Sequence, residues 1–151
     1  MSGERTPHND AAIRGAFIGL DHAHDRKAMT RAVLEGVAYA LRDSLEALAV
    51  AGTQLDRVMA VGGGTRSPYW LKVVANALRR PVDLPQDGEF GAAFGAARLG
   101  LMAAESADGQ QVCTTPSIAQ SYEPDAALDQ AFEDGYHRYR ALYPALSAAT
   151  A

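Results

Sequence analysis

The apolar residues of this chain fall into two spacings, one suited to helices and one to short buried strands. Met29, Val33, Val37, Ala40, Leu41, Leu45 and Leu48, with Ser44 among them, recur every three or four positions. That spacing draws a single apolar stripe along one long helix. Asp25 stands where a carboxylate caps a first turn, and Gly52 stands where a helix can stop. Arg31, Arg42, Asp43 and Glu46 fall largely off the stripe, and a solvated face is predicted for most of them. A second helix carries Trp70, Leu71, Val74, Ala77 and Leu78 on its buried side. Ser67 caps it, Pro68 takes the first helical position, and Arg79 and Arg80 meet the end of its dipole before Pro81 stops it. A third helix is predicted over 89–104, where Gly91, Ala92, Ala93, Gly95, Ala96 and Ala97 permit close backbone packing. The last, over about 124–143, has Leu128, Phe132, Tyr136, Tyr139 and Leu142 on one side.

Between the helices lie short apolar runs. Residues 57–61 and 82–84 read as strands, and 15–20 as a strand or an extended segment. Residues 1–12, with Pro7, Asn9 and Asp10, and residues 105–117 read as loops. Strands alternating with helices predict an α/β layer structure.

Composition narrows the function. The chain has 151 residues, of which 48% are apolar and 21% charged, in the range of one globular domain. A net charge of -4 argues against a nucleic-acid surface, which needs clustered Lys and Arg. No run approaches the roughly 20 apolar residues that span a bilayer. The opening residues 1–5 lead into polar chain without the apolar core of a secretory signal. Cys113 is the single cysteine, which fits a reducing cytoplasm.

The most informative stretch follows the strand at 57–61: Gly62-Gly63-Gly64-Thr65-Arg66-Ser67-Pro68, and then a helix. Three glycines remove every Cβ from the turn, so that a ligand can touch backbone. The next helix aims its free N–H groups and the positive end of its dipole at the same place. A nucleotide suits that geometry; a tight turn with positive φ is the competing structural reading. A dinucleotide turn is a third, since Asp83 lies about twenty residues on, where a ribose-binding acid would sit. Against it, the third glycine of that pattern is replaced by Ser67, beside Pro68.

Four blocks in order carry a family resemblance. They are Gly3-Glu4-Arg5-Thr6-Pro7-His8-Asn9-Asp10 with its continuation Arg14-Gly15-Ala16-Phe17-Ile18-Gly19-Leu20; the helix 32–43; the turn 62–70; and the small-residue helix 89–97. Together they resemble the FGGY carbohydrate kinases, and their xylulokinase branch most closely. The resemblance implies a ribonuclease H-like, actin-like ATPase fold, with the chain 1–151 as the C-terminal nucleotide-binding domain. Its core would run over about 13–104, and its first β-hairpin would precede residue 1. It implies ATP with Mg²⁺, the metal held mainly by ATP and by the N-terminal domain. Gly63, Gly64 and Thr65 would lie along the adenosine and α-phosphate side of the nucleotide, Gly62 opening the turn, with Arg66, Ser67 and Pro68 near the base. Arg5, Thr6 and His8 would face the partner domain or its substrate. The sugar, D-xylulose first, and the general base would be held by the N-terminal domain, so the isolated chain is expected to be inactive. Loss of the hairpin would leave a sheet edge and an apolar face open, and a homodimer or swapped oligomer is expected. A non-catalytic nucleotide-binding or interaction module is the alternative. Thr65 departs from the usual alanine, and its hydroxyl is left with two roles, touching the ligand or capping the turn.

The remaining signals point to structure. His22 and His24 lack a third ligand for zinc, Ser67 lacks the Gly-x-Ser-x-Gly elbow of a hydrolase, and Asp21 and Asp25 suit capping better than paired-acid chemistry. His137 and the tyrosines at 136, 139 and 143 form a packing edge, with no basic groove beside them.

Overall fold

A computed structural model describes residues 3–150. Met1, Ser2 and Ala151, all within the expected domain span and the first two within the opening loop, lie outside the described residues, as do the side chains of Glu89 and Thr150.

The long helix, α1, runs Arg26–Val50. Asp25 caps it, its carboxylate accepting from the Ala28 N–H at 2.8 Å. At the far end Gly52 takes φ +89°. There the Gly52 N–H donates to Ala49 and the Thr53 N–H to Leu48, the paired bonds that close a helix on a glycine.

The buried face of α1 is not the predicted stripe. Ala38, Tyr39, Arg42 and Asp43 are buried, while Val33, Leu41 and Leu48 are exposed. The assignment of Arg42 and Asp43 to a solvated face is therefore corrected; Arg31 and Glu46 do lie in solvent. The reason lies in the last helix, α5 (Asp129–Thr150). Its Tyr136 hydroxyl donates to Asp43 at 2.6 Å, and its Glu133 pairs with Arg42 at 2.8 Å. The Arg42 guanidinium lies 4.0 Å over the Tyr136 ring. Buried charges are tolerated when they are paired: Asp43 accepts a hydrogen bond from Tyr136 and Arg42 is ion-paired with Glu133, although Arg42 Nη1 makes no hydrogen bond. Burial first, then the bond to Asp43, pushes the Tyr136 phenol well above its ordinary value of 10.0.

Helix α2 (Pro68–Leu78) sits between α1, α5 and the sheet, and is buried almost all round. Ser67 caps it, accepting from the Trp70 N–H at 3.2 Å, with Pro68 at the first turn as expected. Arg79 ends it in a left-handed conformation. Its guanidinium pairs with Asp129 at 2.6 Å, tying α2 to α5.

The sheet has the order β1-β2-β3, from β1 (Val58–Met59), β2 (Val82–Pro85) and β3 (Ile118–Tyr122). β1 and β2 are parallel, with Val58 opposite Val82; β3 is antiparallel to β2, with Val82 opposite Tyr122. β3 was not foreseen, because Ile-Ala-Gln-Ser-Tyr alternates too weakly to announce a strand. Residues 15–20 pair with no strand among the described residues; they are exposed and without regular structure, and Gly19 takes a positive φ.

The third helix, α3 (Gly91–Glu105), buries none of its residues. Its small side chains do not serve close packing along its length: a Cβ on Gly95 or Gly100 would meet nothing within 4 Å. Only Gly91 is forced, where a Cβ would come within 2.6 Å of Val61. The predicted loop at 105–117 holds a short helix, α4 (Gly109–Val112), and α5 runs through Pro144 beyond its expected end at 143. Among the described residues, no helix is long and apolar enough to cross a membrane.

Candidate nucleotide site

The glycine turn begins where β1 ends. Gly62 sits at φ +97°, ψ 179°, a region essentially closed to other residues, and its N–H donates to Gly88 at 2.8 Å. Residues Gly63–Arg66 then form one 3-10 turn leading into Ser67 and α2. Thr65 is buried, and its hydroxyl donates to the Gly62 carbonyl at 2.7 Å. That bond fills one of its two open roles, capping the turn. Gly64 faces Trp70, whose ring nitrogen would lie 3.3 Å from an added Cβ.

Gly63 differs from both. Its φ is not positive, and an added Cβ would meet nothing within 4 Å. Gly63, Gly64, Ser67 and Pro68 are all exposed, so the backbone of the turn lies open. The N–H groups of Gly63 and Gly64 fall in the first turn of their helix, which leaves them without an earlier helical carbonyl.

At the start of α2 a cleft of about 320 Å³ is lined by Arg26, Lys27, Thr30, Arg31, Leu34 and Tyr69. Tyr69 directly follows Pro68. Arg31 is engaged by Glu35 at 2.5 Å, which raises its pKa further, the hydrogen bond contributing most. This basic wall escaped the sequence reading. The spacing of Arg26, Lys27, Thr30 and Arg31 does place them on one helix face, but only packing shows that the face meets the start of α2. A larger hollow of about 570 Å³ at the opposite end of α2 mixes Arg42, Arg79 and Arg80 with Glu46 and Asp56.

Asp83 does not serve a dinucleotide. Arg57 donates to both of its oxygens, at 2.8 and 2.6 Å, and Ser121 donates a third bond, joining the three strands. Those bonds, Arg57's first, hold its pKa down to about 2. His8, in the opening loop, is stacked on Tyr143 with ring centroids 3.5 Å apart. Arg5 and Thr6 are exposed. His24 accepts from the Asp21 N–H at 3.0 Å, a local turn. Among the described residues no three His, Cys, Asp or Glu gather where they could hold a metal ion.

Comparison with known proteins shows the family. A model of the FGGY family of carbohydrate kinases, C-terminal domain, matches residues 1–104. The xylulose kinase of Escherichia coli is 38% identical over 147 residues, which cover 97% of this chain and 30% of that protein. The crystal structure of a xyloylose kinase from Brucella ovis is 60% identical with a TM-score of 0.87, over 98% of this chain and 31% of that one. Plasmodium falciparum glycerol kinase, 17% identical, matches with a TM-score of 0.74 over 96% of this chain and 29% of its own, and shows the fold alone. That fold is the actin-like, ribonuclease H-like ATPase fold expected from the resemblance. The chain spans about 30% of the length of these relatives. It belongs to the FGGY family of carbohydrate kinases, matching their C-terminal domain.

Proposed function

We propose that this chain is the ATP-binding part of a kinase that transfers the γ-phosphate of ATP to a sugar hydroxyl, D-xylulose giving D-xylulose 5-phosphate. Gly63 carries the reading. Gly62 is explained by its backbone angles and Gly64 by Trp70, yet nothing in the fold asks for a glycine at Gly63. A ligand lying on the backbone does ask for one.

In this reading the open peptides of Gly63 and Gly64 and the start of α2 receive the nucleotide, with Gly62 setting the turn and Thr65 bracing it from below. Arg66, Ser67 and Pro68 border the base, and Arg26, Lys27 and Arg31 supply positive charge beside it. ATP supplies the phosphoryl group; the chain's part is to position it. The Mg²⁺ that accompanies ATP is assigned to the phosphates and to polypeptide outside this chain. So are the sugar and the base that deprotonates its hydroxyl. The chain 1–151 acts as one nucleotide-binding domain, and Arg5 and Thr6 face its partner domain. A kinase consuming ATP works in the cytoplasm, where the exposed thiol of Cys113 stays reduced. Phe17, Ile18, Phe90 and Phe94 are about half exposed, which supports self-association of the isolated chain.

Two measurements test the reading. Calorimetry should show ATP binding and no comparable binding of NAD. A coupled assay with ATP, Mg²⁺ and D-xylulose should show no turnover by the isolated chain, and sugar-dependent ADP release would overturn the assignment of the base to another segment.

A further inference from the structure

The opening loop is closed on itself. The Gly3 N–H donates to Ile13 at 3.1 Å and the Glu4 N–H to Asp10 at 2.7 Å. The Glu4 carboxylate accepts from the N–H groups of His8 and Asn9, at 2.9 and 3.1 Å. The Asp10 carboxylate accepts from Ala12 and Ile13, at 2.8 and 3.1 Å. These last bonds, Ala12's first, lower the Asp10 pKa, so the group is ionised at neutral pH.

Local bonds give the loop a shape but not a place. Residues 5–9 are all exposed, so little apolar burial holds the tip against the rest of the molecule. One side chain of α5 does so by two separate contacts. The Tyr143 ring lies on the His8 imidazole with centroids 3.5 Å apart and planes 4° from parallel. Its hydroxyl donates to the other oxygen of Asp10 at 3.2 Å. Arg5 and Thr6 stand in the stretch that Glu4 and His8 bracket. Tyr143 lies outside residues 1–104, which the family model matches.

We propose that Tyr143 is a positioning residue, whose stack on His8 and bond to Asp10 hold Arg5 and Thr6 in one geometry on α5. The use of that geometry rests on the kinase reading; the clasp itself does not. Each contact alone is modest, and both must open before the tip can swing.

Nuclear magnetic resonance of the 151-residue chain tests it. In the parent protein the His8 ring protons should be shifted upfield by the facing phenol, and the Arg5 and Thr6 amides should be as ordered as those of the helices. Tyr143→Leu should remove the ring shift, disorder those two amides and speed exchange of the Glu4, Ala12 and Ile13 amides about tenfold, since tenfold corresponds to losing roughly one such bond. Tyr143→Phe keeps the stack, so it should retain the His8 shift and restore most of the order. Amides of α2 should exchange at the parent rate in both variants. Unchanged order at Arg5 and Thr6 in Tyr143→Leu would overturn the proposal, as would equal acceleration in α2, which would make Tyr143 a general stabiliser. ATP affinity, measured on the same samples, should not move; a parent chain that binds no ATP would sink the kinase reading and leave the clasp standing.

Discussion

Replacing Gly63 with alanine separates a bend from a ligand seat. In the free protein the new methyl meets nothing within 4 Å, and the backbone angle is one that alanine accepts. Gly→Ala at a compatible position stabilises by about 0.4–1 kcal/mol, because the unfolded chain has less freedom to lose. For a domain of this size that shifts the melting midpoint upward by about 1–4 °C. The same methyl projects into the space proposed for the nucleotide. Forcing an extra methyl into a filled contact costs about 1–3 kcal/mol, so ATP should bind about 5- to 150-fold more weakly. Gly62→Ala is the control. Its φ of +97° belongs to glycine, at a cost of about 1–3 kcal/mol for another residue, so stability and binding should fall together. Calorimetric titration with ATP and a thermal melt on the same samples give both quantities. If Gly63→Ala bound ATP as tightly as the parent, the turn would be a bend and nothing more.

Three further outcomes follow from the cited geometry. Tyr136→Phe removes the hydroxyl that donates to buried Asp43 while keeping the ring under Arg42. Loss of a hydrogen bond to a charged group costs about 1.5–3 kcal/mol; urea denaturation should show the midpoint falling at constant slope, and a loss below about 0.5 kcal/mol would refute the buried network. Asp83, lowered from 3.8 to about 2 by Arg57 and Ser121, contributes stability that is full above about pH 4 and is lost as the pH falls toward 2. Asp83→Asn should flatten the acid limb of the stability curve in that window, and an unchanged limb would show the bonds to be absent in solution. Light scattering of the isolated chain at high concentration should show a species larger than a monomer, in keeping with the exposed side chains of residues 17, 18, 90 and 94.

What the sequence disclosed were features whose cause is local. Asp25, Ser67 with Pro68, and Gly52 act within a turn of their own position, and each does in the structure what its residue type demands. The glycine turn was legible for the same reason, and the four spaced blocks identified the fold. What escaped depends on partners far along the chain. Arg42 and Asp43 read as surface residues because a hydrophobic stripe takes no account of Glu133 and Tyr136, the latter 93 positions from Asp43. β3 earns its place from pairing with β2, not from its own pattern. The small residues of α3 imply close packing only if something packs on them, and among the described residues only Val61 meets a glycine there. The basic wall of Arg26, Lys27 and Arg31 had the right spacing, but its relation to Tyr69 required the docking of α1 on α2.

The location of the candidate site follows from topology before any glycine is considered. β1 and β2 are parallel neighbours, so the chain must cross from the end of one to the start of the other, and α2 makes that crossing. The start of α2 therefore returns to the carboxyl end of β1, where open α/β sheets bind their ligands. There the first N–H groups of a helix have no partner of their own, and they favour an anion. Here Gly62 turns the backbone outward, Thr65 ties the turn from the buried side, and Gly63 leaves its outer face bare. Two of those residues are needed to build the turn. The third is needed only if something lies upon it.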